Sequence, residues 1–187
     1  MKIPFNSLSP ELIGHRKSVH ELCRQFNRSP SKGNLKRLKT LFHSCGEEVF
    51  IEHGFHMDYG DNITIGDRVF INVNCTLIDG KGPEAKIADE DGLTKGKISL
   101  GNDCLIGPNV QLLAISHDVD PDSRLAKHNY VDDIIIGNNV WLGGGVIILA
   151  GVIIGDNAVV GAGSVVTKSL EGQSFYAGNP ARKIRSL

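Results

Sequence analysis

Aliphatic residues recur at every sixth position over much of the chain. From Ile136 to Glu171, six unbroken hexads each begin with Ile, Leu or Val: IGNNVW, LGGGVI, ILAGVI, IGDNAV, VGAGSV and VTKSLE. Two earlier blocks, beginning at Ile65 and Leu100, keep the same period. A six-residue period fits neither the helical turn of about 3.6 residues nor a heptad. It predicts a solenoid of short parallel strands, in which aliphatic residues point inward and stacked coils bury a common core.

The first 45 residues have a helical pattern instead. Ser9-Pro10-Glu11 is a typical helix start, and Asn27-Arg28-Ser29-Pro30 is a typical end. A second short helix is predicted, with an apolar side formed by Leu35, Leu38, Leu41 and Phe42. We expect residues 1–45 to form a cap that shields one end of the solenoid, which spans residues 46–187.

Two segments interrupt the hexads and are predicted to leave the solenoid as long loops. Residues 80–97 read GKGPEAKIADEDGLTKGK, and residues 118–133 read DVDPDSRLAKHNYVDD. Long loops on a rigid scaffold often carry binding residues. We therefore expect the first loop to shape a ligand pocket.

Composition and charge exclude several classes of protein. Hydrophobic residues make up 41% of the chain, and the net charge is −1. Neither value favours binding to nucleic acid or to an anionic membrane. The N-terminus has no apolar run typical of a secretion signal, and the four cysteines show no regular spacing. Cys75 and Cys104 fall at inward hexad positions, so we expect reduced core cysteines in a cytoplasmic protein.

His117 is the strongest candidate for chemistry. It ends the hexad that begins at Leu112 and immediately precedes the second loop. Histidine titrates near neutral pH, so a positioned imidazole can take a proton from a hydroxyl and return it. The alternative is a turn histidine that is hydrogen-bonded to Asp118 or to the backbone.

The C-terminal part of the chain resembles the hexapeptide-repeat O-acetyltransferases. The motifs are IGNNVWLGGG, GVIIGDNAVVGAGSVVTK and AGNPARKIR. The segments HELCRQFN, EVFIEHGFHMDYGDNITIG and FINVNCTLIDG, together with Ser116-His117, are similar to the branch of maltose, galactoside and nodulation-factor acetyltransferases. The resemblance covers nearly the whole chain. It implies an all-β solenoid, namely a left-handed parallel β-helix of hexapeptide repeats with a short N-terminal helical segment.

The resemblance also implies an activity: an acetyl group passes directly from acetyl-CoA to a hydroxyl of a small, sugar-like acceptor. His117 matches the base that deprotonates this hydroxyl, and no metal is required. Acetyl-CoA is expected in a groove between adjacent solenoids of a homotrimer. The positions that match its binding residues are Gly144, Ala162, Thr167, Lys168, Arg182 and Arg185.

Acceptor-side positions are less regular. Asn72 and Asp58 match residues that face the acceptor, Arg16 is retained, and Asp79 lies next to the first loop on the same side. Ser7 stands where the galactoside enzymes carry an acceptor-binding aspartate, Phe70 replaces a tyrosine, and Gly144 replaces a common serine. The sugar specificity is therefore open.

Three alternatives remain at this point. The acceptor could be another hydroxyl or an amine, as in an antibiotic. A metal-dependent carbonic anhydrase can be built on the same solenoid, although His117 is the one histidine clearly within a hexad. A solenoid without catalysis would leave His117 and the basic C-terminal segment unexplained.

Overall fold

The computed structural model describes residues 3–81 and 95–187. The helices are α1 (Pro10–Arg28), α2 (Lys32–Lys39) and α3 (Pro121–Leu125). The strands are β1 (Ile3–Phe5), β2 (Ser44–Cys45), β3 (Phe50–Ile51), β4 (His56–Met57), β5 (Ile63–Ile65), β6 (Phe70–Ile71), β7 (Thr76–Ile78), β8 (Ile98–Leu100), β9 (Leu105–Ile106), β10 (Gln111–Leu113), β11 (Ile115–His117), β12 (Asn129–Val131), β13 (Ile134–Ile136), β14 (Trp141–Leu142), β15 (Ile147–Leu149), β16 (Ile153–Ile154), β17 (Val159–Val160), β18 (Val165–Val166), β19 (Ser174–Ala177) and β20 (Arg182–Ser186).

Most strands lie in three sheets that the chain visits in rotation. The first sheet contains β2, β5, β8, β13 and β16, the second contains β3, β6, β9, β14, β17, β19 and β20, and the third contains β4, β7, β10, β15 and β18. All pairings in these sheets are parallel except that of β19 with β20. This rotation is how the predicted solenoid would arrange its strands.

The six-residue period places the core. Ile65 pairs with Leu100, Leu100 with Ile136, and Ile136 with Ile154, so that residues opening different hexads lie in one row. All four are at most 3% exposed. The prediction that these positions point inward is therefore confirmed, and their burial is the main source of stability in such a stack.

The N-terminal helices follow the predicted boundaries closely. The Ser9 side chain caps α1 by accepting from the Leu12 amide, Pro10 is the first helical residue, and α1 ends at Arg28. The buried side chains of α1 belong to the same apolar core as the first coils. β2 already pairs with β5 at Ser44, and the division into a cap of residues 1–45 and a solenoid of residues 46–187 stays a prediction.

The two long loops behave differently. Residues 82–94 of the first loop lie outside the described residues, so its predicted effect on a ligand pocket stays a prediction. Its two ends meet, because the Gly80 amide donates to the Gly96 carbonyl at 2.9 Å. Lys95 and the Gly96 amide both bind the carboxylate of Asp133, at 2.6 and 2.9 Å, at the point where the second loop returns.

The polar sequence of the second loop predicted an irregular segment, but part of this loop has regular secondary structure. It contains α3, and its β12 segment forms a small antiparallel sheet between β11 and β1. Neither β1 nor β12 was predicted from the sequence. The first and third residues of Asn129–Val131 are buried, but the first is polar, so the segment lacks the alternation of apolar and polar residues that indicates a strand.

The cysteines and the helices agree with the expectations from composition. All four cysteines are free, and Cys23, Cys75 and Cys104 are buried. Burial raises the pKa of the Cys75 thiol to about 11, so this group is an unreactive core residue. Among the helices of residues 3–81 and 95–187, none has the length and apolar character needed to cross a lipid bilayer.

The burial of the inward-facing row can be tested by making the same truncation at a buried and at an exposed position. Leu112→Ala removes a fully buried side chain from the core, and we expect the free energy of unfolding to fall by about 2–5 kcal/mol. Leu125→Ala makes the same truncation on α3, where the side chain is 76% exposed, and should change it by less than about 0.5 kcal/mol. Denaturant unfolding followed by circular dichroism measures both values. Equal losses would contradict this assignment of the core.

Candidate active site

A groove runs along the outer face of the second sheet. Five apolar side chains line its wall in strand register: Phe70, Leu105, Trp141, Val159 and Phe175. The turns that follow these strands form the rest of the lining, including Asn72, Gly143, Gly144 and Ala162. The groove has a volume of about 530 Å³. Three of the sequence-predicted site residues, Asn72, Gly144 and Ala162, thus lie together.

Glycine keeps this groove open. A Cβ atom on Gly143 would lie 2.6 Å from the backbone nitrogen of Ala162, and one on Gly144 would meet the Pro108 ring at 3.3 Å. Within the described residues, the amides of Gly144 and Ala162 donate to no backbone carbonyl, whereas their neighbours Gly143, Gly145 and Gly163 do. Two unpaired N–H groups in an apolar groove suit a ligand that carries carbonyl oxygens.

His117 lies in a separate cleft of about 380 Å³, between the N-terminal segment and the second loop. The cleft is lined by Ser7, Leu8, His117, Arg124, Lys127 and Asn129. The imidazole is exposed, and no side chain or carbonyl in the described ranges lies within hydrogen-bonding distance of it. The Asp118 carboxylate accepts from the Tyr130 hydroxyl at 3.1 Å, and the role of His117 stays a prediction.

The pairing of β11 with β12 fixes the position of this histidine. His117 is opposite Asn129, and the Asn129 side chain donates to the Ser7 hydroxyl at 2.7 Å. Ser7, which the sequence singled out as a departure on the acceptor side, is thus in the same cleft as His117. Asn129, Arg124 and Lys127 were missed because their segment was expected to be a loop with no defined partner.

The groove and the His117 cleft are lined by different parts of the chain. Gly107 and Pro108 line the groove and precede β10, whereas His117 ends β11, which follows β10. No residue lines both cavities. Within one chain, the described residues therefore do not bring the histidine and the groove amides into one site.

The remaining acceptor-side residues form a polar cluster beneath α1. Arg16 donates to the Tyr59 hydroxyl at 3.0 Å, and the Asp58 carboxylate lies 3.1 Å from Nε2 of His20. Asp79 is fully buried, and its two oxygens accept from the amides of Tyr59 and Gly60 at 2.9 and 2.8 Å. The structure gives Asp79 the role of holding this turn, and its contact with an acceptor stays a prediction.

The environment of Asp79 is unusual for an acid. Burial raises its pKa from 3.8 to about 7, against the opposing effect of the two amides that donate to it. A carboxylate that satisfies two buried amides stabilises the turn even at this cost of burial.

The other predicted cofactor residues lie near the C-terminal end of the chain. Thr167 and Lys168 are exposed in the turn after β18. Arg182 and Arg185 are exposed on β20, which pairs with β19, and the nearby side chain of Phe175 borders the groove. All four residues are exposed and three of them are basic, and their contact with a cofactor stays a prediction.

The chain is similar in sequence to several known proteins. The family described as bacterial transferase hexapeptide (six repeats) matches residues 133–168. The chain is 37% identical to galactoside O-acetyltransferase of Escherichia coli, with 98% of this chain and 84% of that protein covered. It is 41% identical to nodulation protein L of Rhizobium meliloti, with coverage of 95% and 91%.

Two solved structures have the same architecture along almost their whole length. A maltose O-acetyltransferase from Clostridium difficile superimposes with a TM-score of 0.85 at 33% identity, covering 98% of this chain and 92% of that one. A hexapeptide-repeat acetyltransferase from Vibrio cholerae, in complex with acetyl coenzyme A, gives 0.84 at 33% identity with the same coverage.

The groove of glycine-rich turns and the six-residue repeat are therefore those of the hexapeptide-repeat transferases, and the chain belongs to that family. Within the family it is an acetyltransferase of the branch that includes the galactoside, maltose and nodulation-factor enzymes. The resemblance inferred from the sequence motifs is confirmed.

The role of Asp79 generates a stability prediction. Asp79→Ala leaves the buried amides of Tyr59 and Gly60 without acceptors, and we expect the free energy of unfolding to fall by about 1–3 kcal/mol for each unsatisfied group. The control is Glu21→Ala, which removes an exposed ion pair with Arg24 and should leave the stability nearly unchanged. Urea unfolding measures both. A loss no larger than that of the control would show that Asp79 does not hold the turn.

Proposed function

We propose that the protein transfers an acetyl group from acetyl-CoA to a hydroxyl of a sugar-like acceptor, and that His117 is the general base. The observation that carries this proposal is the exposed, unpartnered imidazole of His117 in a cleft bordered by polar and cationic side chains. Two of the relatives that match nearly the whole chain are named as a galactoside and a maltose O-acetyltransferase. We further infer that the solenoid is left-handed, as its structural relatives imply.

The separation of the two cavities supports a homotrimer. Acetyl transfer needs the histidine, the thioester carbonyl and the acceptor hydroxyl in contact, and within one chain the histidine and the groove amides line different cavities. In a closed trimer, the groove of one subunit can face the His117 cleft of its neighbour. The outer face of the second sheet is also apolar, with Phe50, Leu105 and Trp141 about half exposed, and a neighbour would cover such a surface.

The proposed reaction is direct. A neutral His117 imidazole removes the proton from the acceptor hydroxyl as the oxygen attacks the thioester carbonyl, and the imidazolium then gives the proton to the leaving thiolate. The unpaired amide of Gly144 is placed to stabilise the oxyanion that forms in between. The described cysteines need no covalent role, and the transfer uses no metal.

Acetyl-CoA would lie along the groove of glycine-rich turns. Its carbonyl oxygens suit the free amides of Gly144 and Ala162, and its phosphates suit Lys168, Arg182 and Arg185 at the basic end of the coil. Thr167 would contribute a hydroxyl beside this arm. Cytoplasmic localisation is part of this proposal, since acetyl-CoA is the donor.

The acceptor would be bound by polar side chains. Asn72 at the groove and Asp58 beneath α1 can both bind sugar hydroxyls, whereas Asp79 fixes the backbone around Tyr59 and Arg16 binds the Tyr59 hydroxyl. Ser7 has no carboxylate to offer, so this cleft presents the hydroxyl of Ser7 and the amide of Asn129 instead. An acetyl-CoA consumption assay over a panel of sugars, oligosaccharides and amines tests the acceptor class. Turnover with amines alone would contradict the proposed O-acetylation.

The assignment of His117 makes the first functional prediction. His117→Ala should lower kcat by about 10²–10⁴-fold, because the general base is lost, and should leave the affinity for acetyl-CoA nearly unchanged. His53→Ala, an exposed histidine outside both cavities, is the matched control and should retain wild-type turnover. Steady-state kinetics and calorimetric titration with acetyl-CoA separate the two effects. Wild-type kcat in the His117 variant would eliminate it as the base.

The proposed trimer makes the second functional prediction. Sedimentation equilibrium should give a mass of about 61 kDa, three times the 20.2 kDa of the chain, at micromolar concentration. The physical reason is that a stable site needs groups from two subunits and that the apolar face needs a cover. A stable monomer with full activity would overturn both the trimer and the shared site.

A further inference from the structure

We propose that His20, His56 and Asp58 form a binding site for one zinc-class divalent ion, which joins helix α1 to the first coil. None of the three residues lines the groove or the His117 cleft, although Asp58 is also one of the residues proposed to bind the acceptor. One ligand atom from each of the three residues lies within 4.8 Å of the other two.

The fold brings these three side chains together for simple reasons. Met57 points inward and is fully buried, so the strand alternation turns its neighbours His56 and Asp58 to the same outer side of β4. Helix α1 crosses this side, and His20 follows the buried Val19 on the helix face that meets the coil. The juxtaposition therefore joins residues that are 36 and 38 positions apart.

The helix is held firmly in this place. The Asn27 side chain donates to the Phe55 carbonyl at 2.9 Å and accepts from the Gly54 amide at 2.8 Å. Val19, Cys23 and Phe26 are buried in the common core. Because α1 is anchored in this way, the position of His20 over β4 is a fixed property of the fold.

The distances are close to those of a metal site. Nε2 of His20 lies 3.1 Å from Oδ1 of Asp58, and Nε2 of His56 lies 3.8 Å from the same oxygen. With metal bonds of about 2.0–2.2 Å, ligand atoms around a tetrahedral ion are about 3.3 Å apart. Side-chain rotations that move the ligand atoms by about 1 Å thus suffice to place all three ligands around one ion.

The two imidazoles converge on one carboxylate oxygen. Their ring centroids are 4.5 Å apart with an angle of 50° between the planes, and both Nε2 atoms are directed at Oδ1 of Asp58.

The donor set determines the kind of ion. Two imidazole nitrogens and one carboxylate oxygen suit zinc and the neighbouring transition metals, whereas magnesium and calcium prefer oxygen ligands alone. The side chains of His20, Asp58 and His56 are 26%, 16% and 40% exposed, so the ion can enter from solvent and a water can complete its coordination. An ion there would cross-link the cap to the coil and would stabilise the folded chain.

The experiment uses the full chain, freed of metal by a chelator and titrated with zinc in a calorimeter. We expect one zinc per chain, no binding of magnesium at millimolar concentration, and a higher melting temperature with zinc. The double variant His20→Gln, His56→Gln should bind zinc at least about 100-fold more weakly. Loss of a group that only hydrogen-bonds to a metal ligand already lowers metal affinity by about 10–100-fold. His53→Gln removes a nearby exposed histidine that is no part of the cluster and should bind zinc like the wild type.

Two further measurements keep the test decisive. Circular dichroism and the melting temperature of the metal-free double variant must match those of the metal-free wild type, so that loss of binding is not loss of fold. X-ray absorption of the zinc-loaded wild type should show two imidazole nitrogens and oxygen ligands. Sulfur coordination, wild-type zinc affinity in the double variant, or no binding at about 100 µM zinc would each overturn the proposal.

Discussion

The structure depends on the close stacking of one turn on the next. Along one corner, a Cβ atom on Gly66 would lie 2.8 Å from the backbone of Gly101, and one on Gly101 would lie 2.6 Å from the Gly137 carbonyl. No side chain fits into such contacts, so glycine is required in successive coils. The close approach aligns the ladders of the three sheets and places the aliphatic rows directly above one another. Glycine spacing and aliphatic burial are therefore two consequences of the same constraint.

The same stacking prepares the groove for a ligand. Gly143 must lack a side chain because the Ala162 nitrogen lies above it, and this approach leaves the amides of Gly144 and Ala162 without backbone partners among the described residues. Elsewhere, turn amides such as those of Gly145 and Gly163 are used to join coils. Backbone groups in a rigid coil need no reorganisation when charge develops beside them, which is the condition for effective oxyanion stabilisation. In the proposed function, the repeat thus supplies the cofactor side of the site.

The sequence predicted those parts of the molecule that depend on local or repeated signals. The inward rows follow from the hexads, and the start of α1 at Ser9-Pro10 follows from capping chemistry. The small sheet of β1, β12 and β11 could not be predicted, because β1 and β12 are more than 120 residues apart and their pairing has no periodic signal. For the same reason, the sequence indicated His117 but not its surroundings, since Asn129, Arg124 and Lys127 reach the cleft only through that pairing. The convergence of His20, His56 and Asp58 likewise depends on how α1 packs across β4.

The groove and the His117 cleft differ in how freely their residues can change. The groove is built from backbone that the stacking constraint holds in one conformation, so a substitution there changes the coil itself. The His117 cleft is bounded instead by the N-terminal segment and by the second loop, which are joined by the pairing of β1 with β12 and by the bond of Asn129 to Ser7. Changes in α3 cost the core little, since none of its residues is buried. If the proposed acceptor side is correct, its specificity can therefore change without loss of the coil that forms the groove.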